Sequence, residues 1–237
     1  MKVWFFAVLL VLWGNLLHPF LGSTAVLPGG SWQFVLAAAA LVGVSVVAAR
    51  AIGLDAAALG VRRAGAFRAA LIGASVAGVI AAVDVLVLRL APSIIIGQPV
   101  GYTPLERVSA DELGRHIALY LPLGAVIPEE VAFRGTLLGG LLPRYGVRAA
   151  VTASAVVFAL WHGTVAVFTV MNTTMPVVLV IPAIAGTLVI VFVGGVIMAG
   201  LRLVTGSLAT SIAAHWVFNA VILIGLWTDR AVTAPAT

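Results

Sequence analysis

The sequence predicts an all-α fold, a polytopic membrane bundle of about seven (7–8) transmembrane helices. Three observations carry that expectation. Hydrophobic residues make up 62% of the 237 residues and charged residues 9%, where a soluble domain is about half apolar and a quarter charged. A soluble globule of this size could not keep so much apolar surface from water, and the mean hydropathy of +1.20 agrees. The apolar residues fall into runs of about 20, the length a helix needs to cross a bilayer. The basic residues collect in alternate connections between those runs. Soluble enzymes, disordered tails and nucleic-acid modules are excluded on the first count, so the net charge of +5 reads as membrane topology. With no cysteine in the chain, disulfides, thiolate metal sites and a cysteine nucleophile are excluded too.

Taken in order, the expected spans are residues 3–21, 32–52, 69–90, 113–142, 149–170, 177–203 and 208–227. The fourth contains Pro122 and Pro128, which imply kinks that neighbouring helices can satisfy in a membrane. The first run also has the elements of a cleavable leader: Lys2, an apolar core and the small-residue tail Gly22-Ser23-Thr24-Ala25. Its core is long for that role, and a retained first helix suits the charge pattern. The main inner connection is 53–68 and the main outer one 91–111. No linker or internal repeat divides the chain, so residues 1–237 are expected to form one transmembrane domain.

Orientation follows from the excess of Lys and Arg on cytoplasmic connections. With the N-terminus inside, the inner segments hold Lys2, Arg50, Arg62, Arg63, Arg68, Arg144, Arg148 and Arg202 against one acid, Asp55. The outer segments hold Arg107, Arg115 and Arg230 against Glu106, Asp111, Glu112 and Asp229. Seven spans then leave the C-terminus outside.

Ionisable groups inside a membrane are costly and usually face a cavity or a partner. The deep ones are Asp84, Glu129, Glu130, Arg134, His162 and His215, with Asn219 as an amide. His18 and His116 lie near span ends, where water is in reach. Asp84 and Arg89 share the outer part of the third span, where mutual pairing is the plain reading. Glu130 and Arg134 are four apart and can pair on one helix face. That pairing leaves Glu129 as the carboxylate free to act as a general base or a metal ligand. A structural ion pair beside a packing glutamate is the blander alternative. Phe158 and His162 are four apart, as are His215 and Asn219. At 1.5 Å per residue, Glu129 and His162 lie roughly 20 Å from the inner side and His215 roughly 12 Å, so the three can meet. Such a set supports hydrolysis: a carboxylate takes a proton from water, and imidazoles orient that water or bind a metal. Glu129, His162 and His215 would suit zinc or another divalent ion. Asn219 offers a donor to a developing oxyanion. Neither a His-Glu-x-x-His helix nor a Gly-x-Ser-x-Gly elbow is present.

Three motifs at these residues resemble the CPBP family of intramembrane proteases, also called the Abi or CAAX-protease family. Glu-Glu-x-x-x-Arg stands as Glu129-Glu130-Val131-Ala132-Phe133-Arg134, Phe-x-x-x-His as Phe158 to His162, and His-x-x-x-Asn as His215 to Asn219. The lead-in Thr205-Gly206-Ser207-Leu208-Ala209 and the inner segment 54–63 are similar to the family as well. The resemblance implies a catalytic core at 113–220 and a membrane-embedded active-site cavity open toward the cytoplasm. It implies an endopeptidase acting on membrane-associated peptides or proteins, in which Glu129 activates water and His162 assists. His215 and Asn219 would hold metal or the oxyanion, Glu130 and Arg134 would hold the helix, and Phe158 would pack beneath His162. The family is named as metalloproteases, yet a metal-free glutamate mechanism fits the same residues. Eukaryotic relatives trim prenylated CAAX proteins, and bacterial relatives are linked to bacteriocin immunity and peptide maturation. Ala-, Val-, Arg- and Gly-rich usage points to a bacterium, hence its inner (plasma) membrane. A non-catalytic scaffold or immunity protein of the same fold is the main alternative. A small transporter is the third, although no inverted repeat of the transporter kind is evident.

Overall fold

Apolar runs fold as long helices in spite of their internal Gly and Pro, because in lipid every backbone polar group must be satisfied and neighbouring segments can satisfy those a Pro or Gly frees. The structure, a computed structural model, describes residues 1–21 and 31–233. Its elements are α1 (Lys2–Leu21), α2 (Trp32–Ile52), α3 (Ala66–Ile96), α4 (Ala110–Trp161), α5 (Gly163–Met171), α6 (Val180–Thr205) and α7 (Leu208–Thr233). Among the described residues there is no strand, only an isolated antiparallel bridge between Tyr102 and Thr173. Large apolar side chains point outward along the helices, as with Phe67 at 78% exposure, Ile94 at 79% and Val177 at 88%. Such surface belongs against lipid rather than water. Five helical runs among the described residues are long and apolar enough to cross a bilayer.

Several boundaries differ from those expected. The outer connection is shorter, because α3 continues through Pro92 to Ile96 and ends on Gly97 in the left-handed region at φ 74°. The expected fourth and fifth spans share the single run α4, divided at Gly146, whose φ of 71° and ψ of 174° leave helical space. The expected fifth span is itself broken, since the helix stops at His162 and restarts as α5. Upstream, α4 opens on a capping box formed by Ser109 and Glu112. It then passes through π-helical stretches at His116–Tyr120, Pro122–Val126 and Val131–Leu137. Pro122 and Pro128 lack the N–H that a regular ladder needs, and such bulges often mark functional sites. The run expected at 3–21 falls on α1 (Lys2–Leu21). The small-residue tail Gly22 to Ala25 lies outside the described residues.

The core joins α1 to the two halves of α4: Val3, Phe6 and Leu10 pack with Phe133, Leu137, Leu141, Phe158 and Trp161. α7 lies along α3 and also contacts α6. Connections gather at two ends. At one, Lys2 Nζ donates to Ala51 O at 3.0 Å, Arg202 Nη2 to Ala58 O at 2.5 Å and Leu208 N to Gly60 O at 2.8 Å. Trp4 Nε1 donates to the Tyr145 hydroxyl at 2.8 Å, which brings the Gly146 turn to this same end. At the other end, Trp227 Nε1 donates to Val108 O at 2.8 Å and Gly101 N to Thr174 Oγ1 at 2.8 Å. Arg89 pairs there with Asp229 at 2.6 Å rather than with Asp84. The segments expected on the inner side thus share one end.

Candidate active site

Glu129 and Glu130 close the α-helical turn Ile127–Glu130, and Arg134 follows on the π-helical turn after it. Glu130 and Arg134 are fully buried, at 0% and 1% side-chain exposure, with Arg134 Nη1 3.1 Å from Glu130 Oε1. The guanidinium carbon sits 4.0 Å from the centroid of the Phe158 ring, a cation–π placement. Buried charge survives only where partners compensate it; here the compensation is one carboxylate, one aromatic face and an imidazole. That imidazole is His215, whose Nδ1 lies 2.9 Å from the same Glu130 Oε1.

Glu129 faces elsewhere. Its Oε2 is 3.7 Å from His162 Nε2, with side-chain exposures of 12% and 16%. His162 Nδ1 lies 2.8 Å from Phe158 O. A carbonyl only accepts, so Nδ1 carries the hydrogen and donates it, and a neutral His162 turns the Nε2 lone pair toward Glu129. Phe158 stands between the two imidazoles, 4.5 Å from the His162 ring and 6.1 Å from the His215 ring, both edge-on. The four-residue spacing therefore gives Phe158 three tasks. It supplies a carbonyl for His162, a wall between the histidines and a face for Arg134.

His162, His215 and Asn219 line a cavity of about 280 Å³ together with Phe158. Its other walls are apolar: Val76, Ala77 and Ile80 from α3, and Ile190, Ile197 and Met198 from α6. The structure brings together Glu129 with His162 and Glu130 with Arg134 and His215, and Asn219 joins both histidines at the cavity. Asp84 takes no part in this cluster, and His116 is buried near Tyr120 instead. Among the described residues, no group of three His, Cys, Asp or Glu side chains comes together as a set that could hold a metal ion. Of the three candidate donors, Glu129 and His162 lie together, while His215 Nδ1 is held by Glu130.

Spacing did not single out Asn15 and Thr164, which meet beside the break at His162. A lone amide in an otherwise apolar helix was the available signal. Residues 114–221 match a family model described as type II CAAX prenyl endopeptidase, Rce1-like. No curated protein and no solved structure matches the chain.

Proposed function

Residues 114–221 form a domain of the Rce1-like type II CAAX prenyl endopeptidase family, and from that premise we propose that the protein is an intramembrane endopeptidase. It hydrolyses peptide bonds of membrane-associated peptides or proteins. The observation that carries the reading is the meeting of the three motifs from separate chain segments, with His162, His215 and Asn219 lining one cavity and the two glutamates against its histidines. Glu129 lies by His162, Glu130 by His215, and Asn219 is on the same wall.

The 3.7 Å between Glu129 Oε2 and His162 Nε2 is too long for a direct hydrogen bond and suits one water touching both. Both groups accept, so that water directs its two hydrogens to them and an oxygen lone pair to the scissile carbonyl. Glu129 takes one proton as the C–O bond forms. The Asn219 amide donates to the oxyanion, and His215, held at Nδ1 by Glu130, adds Nε2–H when its ring is charged. When the tetrahedral intermediate collapses, the C–N bond breaks and Glu129 returns the proton to the leaving amine. The apolar walls suit a lipidated tail or a hydrophobic segment. The basic end faces the cytoplasm, the chain crosses seven times and the N-terminus is inside; the alternation of basic connections supports this. The setting is a bacterial inner membrane. A divalent metal, zinc first, is a separate proposal. Elemental analysis of protein purified without chelator should find it near stoichiometry, and full activity of metal-free protein would remove it.

The test compares wild-type and Glu129→Ala protein in liposomes with a membrane peptide ending in a CAAX tail, prenylated or not. Cleavage by wild type and none by the variant is expected. Equal cleavage by both sinks the role of Glu129. No cleavage by either favours the scaffold or immunity reading.

A further inference from the structure

The helix break at His162 is held from outside. His162 is the N-cap residue of α5, with φ −86° and ψ 8°, and no side chain of its own segment caps that helix. A side-chain oxygen normally accepts from the second or third helical N–H at such a start. Here Asn15 of α1 does so: Thr164 N donates to Asn15 Oδ1 at 2.8 Å, and Thr164 Oγ1 to the same oxygen at 3.0 Å. The nitrogen of that amide donates to Leu160 O at 2.8 Å, on the other side of the break, and to Val11 O at 2.8 Å within α1. The partners fix the amide's orientation, since the reverse would set NH2 against an N–H and oxygen against two carbonyls. Space is cleared for it at two glycines. A Cβ on Gly14 would overlap Trp161, and one on Gly163 would stand 2.8 Å from Asn15 Oδ1.

We propose that Asn15 is a positioning residue: it caps both sides of the break and so aims His162 at Glu129. The imidazole is anchored one turn back on Phe158 O; the direction in which the chain leaves that turn sets where Nε2 points. This deepens the protease reading and rests on it. It also makes α1 part of the site, so loss of that helix would take the clamp with it.

The test uses full-length protein in liposomes. Asn15→Leu keeps the branched heavy-atom shape and removes every side-chain polar contact, leaving only the Thr164 Oγ1 bond to the backbone carbonyl of residue 15. Its kcat should fall by about tenfold or more, as small misplacements of a catalytic group do, with KM within roughly twofold of wild type. Thr164→Val, the milder change, should fall in the same direction and covers the case in which Asn15→Leu does not fold. Hydrogen exchange of the segment 160–167 gives a readout independent of cleavage, with faster exchange expected there in Asn15→Leu or, if that variant does not fold, in Thr164→Val. Wild-type kcat in the variants, or unchanged exchange at the break, overturns the proposal. If wild type itself cleaves nothing, the protease reading fails, and the exchange experiment still decides whether Asn15 holds the break.

Discussion

Two glutamates adjacent in the chain end in opposite surroundings, and their substitutions should separate accordingly. Glu130 is sealed beside Arg134 and His215. Its replacement by Ala strands a buried guanidinium, which costs about 3–5 kcal/mol where only one partner of a buried pair is removed. Thermal or denaturant unfolding in detergent should show that loss. Glu129, 12% exposed, has no arginine partner and faces His162 instead. Glu129→Gln keeps the side chain's shape and strands no buried cation, so it should lose clearly less stability than Glu130→Ala in the same measurement, while cleavage disappears. The Glu130–Arg134 pair was legible because a four-residue spacing has one meaning on a helix. The His215–Glu130 contact was not. It depends on which face α7 turns toward α4, and no local spacing encodes that. Asn15 was overlooked for a related reason: its partners lie almost 150 positions away, at a break with no proline to announce it.

Among the elements, α4 departs furthest from its sequence pattern. Hydropathy marks apolar length well and interruptions poorly, so the long apolar helices were legible while the π-helical stretches and the stop at His162 were not. Proline supplied a partial signal at Pro122 and Pro128. At Gly146 the signal was a glycine between Arg144 and Arg148, and its consequence is testable. Nothing lies within 4 Å of a Cβ built there, yet its φ and ψ are nearly closed to other residues. Gly146→Ala should cost about 1–3 kcal/mol through backbone strain alone. Gly43→Ala is the control, inside regular α2 with equally open space. It should be neutral or stabilise by about 0.5–1 kcal/mol. Parallel unfolding curves of the two variants check both.

Across the whole molecule, the two ends differ in charge, and charge counting anticipated that division because connection parity is a global property written locally. The chain has no cysteine, so single cysteines can be placed without background. Ala56→Cys, at the basic end, should resist an impermeant thiol reagent in intact cells and react after lysis. Glu106→Cys, at the other end, should react in intact cells. Reversed labelling would invert the orientation. The cavity carries a further consequence. Its walls on α3 and α6 are the same helices that turn apolar side chains outward, so under the proposed protease function a substrate anchored in the bilayer is expected to arrive sideways. Encounter then depends on molecules per unit area rather than per unit volume. At fixed enzyme and substrate, adding inert lipid should slow turnover by surface dilution, whereas adding buffer should leave it unchanged.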